Sequence, residues 1–251
     1  MKAGLNLYSI RNKIQTEKDF LNTIKTLKKN GCAYIQFSGS PLPLNVVSKC
    51  IKKVKIDLVL THSPMDRIIN DTDNLMKEHA LCHCKNIGLG MMPKEYCGNE
   101  KAFIKKAKEL ENAAKKMSKK GFKFFFHNHQ FEFKHMKSGI TYFEYMIKNC
   151  PHFNFTLDTY WVQYGGHDII SMVKKLKGRI ECVHLKDYKI DDNLDPKFAP
   201  IGDGNIDFKS VIKEMKKSGA KYFLIEQDNA AELKNGFNDV LRSIKTLKEK
   251  F

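Results

Sequence analysis

Between Phe122 and Phe133 the chain reads FKFFFHNHQFEF. Phe122, Phe124, Phe125 and Phe126 give way abruptly to His127, Asn128, His129 and Glu132. The aromatic run suits a buried strand. Such a strand does not end in that many polar side chains unless a ligand, a metal ion or water satisfies them. Three later apolar runs end the same way: LDTYW carries Asp158, VHLKD carries His184 and Lys186, and LIEQD carries Glu226 and Asp228. His62 follows a further run, Ile56–Leu60. Glu132, Asp158, His184 and Glu226 together offer three oxygens and one nitrogen to a divalent cation. That hard set suits Mn²⁺ first, then Mg²⁺ or Co²⁺; zinc in structural sites prefers sulfur, although Zn²⁺ stays open as a fourth choice. His127 and His129 lie two apart and so share a strand face, and one of them could replace or join Glu132.

Each residue also has an ordinary structural use. Asp158 could cap the next segment, and His184 could be a core histidine with its hydrogen bonds made. Glu226 could pair with Lys186, and Glu132 could be solvated. All of these holding at once is much less economical than one shared site.

The elements that must position these residues alternate. Strands are predicted to begin near Leu5, Tyr34, Ile56, Ile87, Phe122, Phe153, Ile180 and Tyr222, about 31 residues apart, the length of one βα unit. A helical stretch follows each, including Glu17–Asn30, Asp71–His83, Glu100–Lys120 and Asn238–Lys250. Strict alternation predicts a parallel sheet. Eight units in 251 residues predict closure into a single-domain (β/α)₈ barrel spanning 1–251. Active sites of such barrels lie at the C-terminal strand ends, where every polar cluster named above falls. No GxGxxG follows the first strand, so a dinucleotide fold has little support.

Composition narrows the function classes. The net charge of +16 invites a polyanion, but the lysines are spread along helical segments and only four arginines occur, Arg11, Arg67, Arg179 and Arg242. Base reading and bidentate phosphate clamps favour arginine, so a solvated basic surface is the preferred reading and a nucleic-acid partner is disfavoured. No apolar run has membrane-spanning length and the N-terminus lacks a signal-peptide pattern, which predicts a cytoplasmic protein with no membrane partner. The seven cysteines include Cys82-His83-Cys84, but no second pair follows at zinc-finger spacing. Gly202-Asp203-Gly204-Asn205 has the look of a phosphate cradle yet lacks the P-loop lysine and hydroxyl, and reads as a turn. Met91 and Met92 leave room for a homodimer.

HNHQFEF, LDTYW, VHLKD, IGDGNIDF and LIEQD, in this order, resemble the sugar phosphate isomerase/epimerase family of xylose isomerase-like TIM barrels. The resemblance implies one divalent metal held by a Glu, Asp, His, Glu set, the last three at Asp158, His184 and Glu226. Many relatives place the first glutamate within strand five, where this chain has His127, so Glu132 is assigned as ligand with His127 as its substitute. The implied chemistry is proton removal beside the carbonyl of a small sugar, through a metal-stabilised enediolate. Glu132 and Glu226 are expected as the acid–base pair. His62, His127, His129 and Lys186 are expected at the substrate, with Trp161 and Tyr8 as an apolar wall. Return of the proton gives an epimer or isomer; loss of a β-hydroxyl gives dehydration of a keto-sugar or inosose. A different class, endonuclease IV-type repair, shares the barrel, but its histidine three residues after the strand-six aspartate is here Trp161 and its Asp-x-His is here Asp203-Gly204-Asn205.

Overall fold

The computed structural model describes all 251 residues, Met1–Phe251. Eight parallel strands close a barrel. They are β1 (Ala3–Asn6), β2 (Cys32–Phe37), β3 (Asp57–His62), β4 (Asn86–Leu89), β5 (Lys123–His127), β6 (Phe153–Asp158), β7 (Cys182–Leu185) and, after a hairpin of β8 (Asp187–Ile190) and β9 (Pro196–Ala199), β10 (Tyr222–Ile225). Ring closure runs through β1, which pairs with β2 on one side and β10 on the other. The eight units are therefore as expected, in one domain. No helix is long and apolar enough to cross a membrane.

Details differ where tertiary context decides. The helix predicted over Asp71–His83 runs Thr72–Leu81, and a separate helix, Met65–Asn70, precedes it. The first strand stops at Asn6, whose side chain accepts from Tyr8 N–H and turns Leu7–Lys13 into a 3₁₀ segment. The fifth stops at His127, and Gln130–Phe133 form a 3₁₀ turn. The stretch between β7 and the turn at Gly202–Asn205 contains the β8–β9 hairpin.

The barrel interior is built by period-two alternation. Tyr34, Leu60, Phe125, Cys182 and Leu224 form a buried apolar cluster. Two residues further along the same strands come Gln36, His62, His127, His184 and Glu226. An apolar floor thus lies one layer beneath a polar ring. Gly4 makes the floor fit, because a Cβ there would stand 2.2 Å from the Tyr34 ring. Outside, 64 buried residues pack the helices on the barrel, with Phe124, Phe126, Phe153 and Phe155 at the strand–helix boundary.

Cys82 and Cys84 are part of that packing. Burial pushes their thiols up to about 11 and about 12, so both are protonated at neutral pH. Met92 is fully buried and Met91 is exposed, so the two do not form a joint face for a second copy.

His79 ties its helix to β3. Its Nδ1–H donates to Leu75 O at 2.7 Å and its Nε2 accepts from the Thr61 hydroxyl at 2.7 Å. Burial lowers its pKa from 6.5 to about 4. A lowered folded value means that its contribution is complete above pH 6.5 and is lost as pH falls towards 4. His79→Gln should therefore lose less stability between pH 7 and pH 5 than the parent, by roughly 1.4 kcal/mol per pH unit at most. Equal losses in urea unfolding at the two pH values would contradict this.

Candidate active site at the barrel mouth

Four side chains converge on one point above the apolar floor. His127 Nε2, Asp158 Oδ2, His184 Nδ1 and Glu226 Oε2 all lie within 4.8 Å of one another. Register brings them there: Asp158 is the direct neighbour of His184 across β6 and β7, and Glu226 N–H donates to Leu185 O at 3.0 Å, extending the β7–β10 ladder. His127 Nε2 stands 3.4 Å from Asp158 Oδ2 and 3.6 Å from Glu226 Oε2. His184 Nδ1 stands 3.9 Å from Asp158 Oδ2 and 2.9 Å from Glu226 Oε2. A tetrahedral ion with bonds of about 2.1 Å has its ligand atoms about 3.4 Å apart.

Surrounding groups fix the protons. His127 Nδ1 faces Gly90 O at 2.8 Å. A carbonyl only accepts, so the neutral ring carries its proton on Nδ1 and turns the Nε2 lone pair to the cluster. His184 Nε2 faces Gln36 Oε1 at 2.7 Å, which leaves Nδ1 as the lone pair. The Gln36 amide is oriented by donating to His62 Nε2 at 2.9 Å, and His62 Nδ1 reaches Ser38 Oγ at 3.3 Å. Burial lowers His127 to about 3 and places His62 well below its ordinary value, so both rings are neutral. Gly90 is required here, since a Cβ would meet His62 Nδ1 at 2.6 Å.

The carboxylates divide their oxygens between structure and site. Asp158 Oδ1 caps the helix Thr159–Tyr164 by accepting from Trp161 N–H at 3.0 Å, leaving Oδ2 for the cluster. Glu226 Oε1 accepts from Asn6 Nδ2–H at 2.6 Å, leaving Oε2. Capping and site-building are thus both true of Asp158. Lys186 Nζ lies 3.4 Å from Asp158 Oδ2, 3.1 Å from Glu226 Oε2 and 2.9 Å from Asp228 Oδ2. Burial alone would lower its pKa, but Asp158, Glu226 and Asp228 outweigh it and hold the ammonium charged. Burial raises Asp158 and Asp228 to about 6, with Lys186 opposing and Glu226 adding to the rise. Burial would also raise Glu226, but Lys186 and His184 outweigh it and place it well below its ordinary value.

The donor set fits a metal ion. Two nitrogens and two oxygens, all buried, converge within 4.8 Å of one another. Three carboxylates face one ammonium, leaving two negative charges that a divalent cation would cancel.

Glu132 is the residue the structure does not bring to the cluster. It is fully buried in the Gln130–Phe133 turn, where its Oε2 accepts from His129 N–H at 2.8 Å. Because β5 ends at His127, that histidine takes the position expected of Glu132. Burial holds the Glu132 carboxyl well above its ordinary value. His129 is at the cleft wall, stacked on Phe131 at 5.2 Å, and burial lowers it to about 3. Trp161 stands 5.0 Å beneath the Lys186 ammonium and 6.1 Å from Phe198 of the hairpin. Tyr8 lines the cleft with Arg11 over its ring at 4.6 Å.

Sequence reasoning missed Asn6, Gln36 and Gly90. AGLN and YIQF show the same pattern of an apolar run ending in a polar residue, but with amides in place of acids or histidines. The glycine-rich IGDGNID stretch holds no ligand position. Its Gly202, Gly204 and Ile206 N–H groups donate to the buried Asp187 carboxylate at 3.0, 3.1 and 3.3 Å.

The description "xylose isomerase-like TIM barrel" belongs to the family model that matches residues 26–249. An inosose dehydratase from Clostridium perfringens is 24% identical over 172 residues, covering 62% of this chain and 57% of the dehydratase. This chain therefore spans little more than half the length of that relative. A sugar phosphate isomerase/epimerase from Parabacteroides distasonis superposes with a TM-score of 0.82 at 20% identity, covering 99% of this chain and 94% of the other. A probable 3-DHS dehydratase from Bacillus anthracis superposes with a TM-score of 0.75 at 12% identity over 100% of both chains. At these identities the structural likenesses speak for the fold.

Chelator-stripped protein should gain roughly 5–10 °C in Tm on adding Zn²⁺ or Mn²⁺ at about 100 times Kd, about 2.7 kcal/mol of linkage. Asp158→Asn, which keeps the capping oxygen, should lose most of that gain. A Tm indifferent to metal in the parent would contradict the site.

Proposed function

The chain belongs to the xylose isomerase-like TIM barrels, and we propose that its mouth is a metal-dependent site for removing a proton beside the carbonyl of a sugar or cyclitol. The observation that carries this reading is the convergence of four buried ligand-type atoms, His127 Nε2, Asp158 Oδ2, His184 Nδ1 and Glu226 Oε2, within 4.8 Å of one another at the strand ends. His127, Asp158, His184 and Glu226 would hold the ion. With two nitrogens and two oxygens, the set suits Mn²⁺, Co²⁺ or Zn²⁺ better than Mg²⁺. When bound there, a divalent ion supplies Lewis-acid polarisation of a carbonyl oxygen.

The chain's own residues supply the rest. The Lys186 ammonium is fixed by three carboxylates and cannot act as a free amine, so it serves as a preorganised positive charge for an oxygen that gains electron density. Asp228 lines the cleft as a carboxylate outside the four-residue cluster, beside Lys186 at 2.9 Å, which suits it to act as general base. It takes the acid–base role that Glu132 is too far inside its loop to perform. Glu226, held at Oε1 by Asn6, positions its other oxygen at the reacting end of the cleft. Return of the proton to carbon completes an isomerisation or epimerisation. Dehydration is the second reading: Asp228, once it has taken the proton from carbon, can hand it to a departing β-hydroxyl, with Lys186 at 2.9 Å holding its carboxyl in place. The curated relatives carry the dehydratase name. A phosphodiesterase reading has less behind it: Asp203 is ion-paired with Arg242 outside the cleft, and Trp161 occupies the position where that class needs a histidine.

Proton NMR in D₂O, on diamagnetic metal-loaded protein with a panel of ketoses, aldoses and inososes, should show loss of one C–H signal. Asp228→Asn should slow that loss by about 10²–10⁴. Exchange surviving within about tenfold in Asp228→Asn would remove Asp228 from the mechanism.

A further inference from the structure

The cleft above the cluster has a volume of about 710 Å³, within the range of about 300–1,000 Å³ that encloses drug-sized ligands and roomier than one small sugar needs. Its two walls differ in chemistry. Arg11, Lys186, Glu226, Asp228 and Glu232 bring the charge, all from the β1, β7 and β10 side. The facing wall, from the loops after β3 and β4, presents Pro64, Met65, Leu89, Met91 and Pro93. Met91 is 51% exposed and Tyr8, at the rim, is 38% exposed. Large apolar side chains exposed at a cleft mouth mark a ligand-facing surface.

Neither cation of the cleft is free for an anionic ligand. Arg11 donates to Glu232 Oε1 at 2.6 Å, to Asp228 O at 2.8 Å and to Tyr8 O at 3.2 Å. Lys186 is bracketed by three carboxylates. In barrels of this architecture phosphate groups sit on the loops after the last two barrel strands. Here the N–H groups of the first of those loops are taken by Asp187. A Cβ at Gly204 would lie 2.2 Å from Asp187 Oδ1, so glycine there serves the internal carboxylate and leaves no room for an outside anion. The second loop presents Asp228 and Glu232. A phosphate monoester would thus meet carboxylates, in spite of the chain's net charge of +16.

We propose that the cleft takes an unphosphorylated sugar or cyclitol carrying an apolar substituent, which lies against Met65 and Met91, with Tyr8 at the opposite rim, and that it rejects sugar phosphates. This rests on the reading of the mouth as a sugar site and names the substrate class of that site. The charged wall keeps the polyol at the cluster, and the apolar wall receives the substituent.

The test is a binding series on Zn²⁺-loaded protein, read by the emission of Trp161, the single tryptophan of the chain. Glucose, galactose and mannose are each compared as free sugar, 6-phosphate and phenyl glycoside. At least one phenyl glycoside should bind roughly tenfold tighter than its free sugar, and every 6-phosphate should bind more weakly than its free sugar. Glu232→Gln, which removes one carboxylate facing the phosphate, should narrow the phosphate penalty several-fold. A 6-phosphate that binds tighter than its free sugar overturns the proposal. So does a full series in which no phenyl glycoside binds below about 10 mM. The ranking needs no turnover. An intact ranking without C–H exchange in D₂O would count against proton abstraction alone; exchange with a preferred sugar phosphate would count against this inference alone.

Discussion

His184 Nδ1 and Glu226 Oε2 face each other across 2.9 Å in the interior of the protein, with the Lys186 ammonium 3.1 Å from the carboxylate oxygen. In a neutral ring the proton on Nε2 faces Gln36 Oε1, so Nδ1 and Glu226 Oε2 both present lone pairs. In a low-dielectric interior such a contact is costly unless a positive charge lies between or beside the two atoms. Much of the mouth can be understood as a response to this constraint. Lys186 leans on Asp158, Glu226 and Asp228 and offsets part of the negative charge. Gln36, Asn6 and the Gly90 carbonyl hold the remaining hydrogen-bonding atoms so that the lone pairs stay aimed inward. A divalent cation held there would complete the balance.

Such a cluster persists only on a rigid support. The floor of Tyr34, Leu60, Phe125, Cys182 and Leu224 keeps water out from beneath, and barrel closure prevents the strand ends from spreading. Above, the β8–β9 hairpin places Phe198 4.8 Å from Tyr160 and 5.4 Å from the Lys186 ammonium. Asp187 anchors that hairpin to the following loop through backbone N–H groups. The phosphate-like look of IGDGNID arises from the same need, because several N–H groups must converge on one anion and the chain supplies that anion itself.

The repeating architecture was legible because each βα unit carries its own local signal: an apolar run, a break and a helical stretch. Asp158, His184, Glu226 and Lys186 were legible because each directly ends or follows such a run. Glu132 was not. Its role depended on whether β5 continued past His127, and the turn that buries it is held by a contact to His129 N–H that no periodicity reports. Asn6 and Gln36 were overlooked because amides are unremarkable at strand ends, although parallel register sets them side by side on β1 and β2. The hairpin escaped notice because Asp187–Ile190 and Pro196–Ala199 are short, charged and proline-bearing, the opposite of strand composition.

The most direct test of the central claim is X-ray absorption on protein reconstituted with Zn²⁺, combined with metal counting. The account predicts one ion per chain in a shell of nitrogen and oxygen only, at about 2.0–2.2 Å, with outer-shell scattering from two imidazoles. His127→Ala should remove one imidazole from that signal. A shell containing sulfur, a shell with one imidazole in the parent protein, or no stoichiometric metal at all would contradict it.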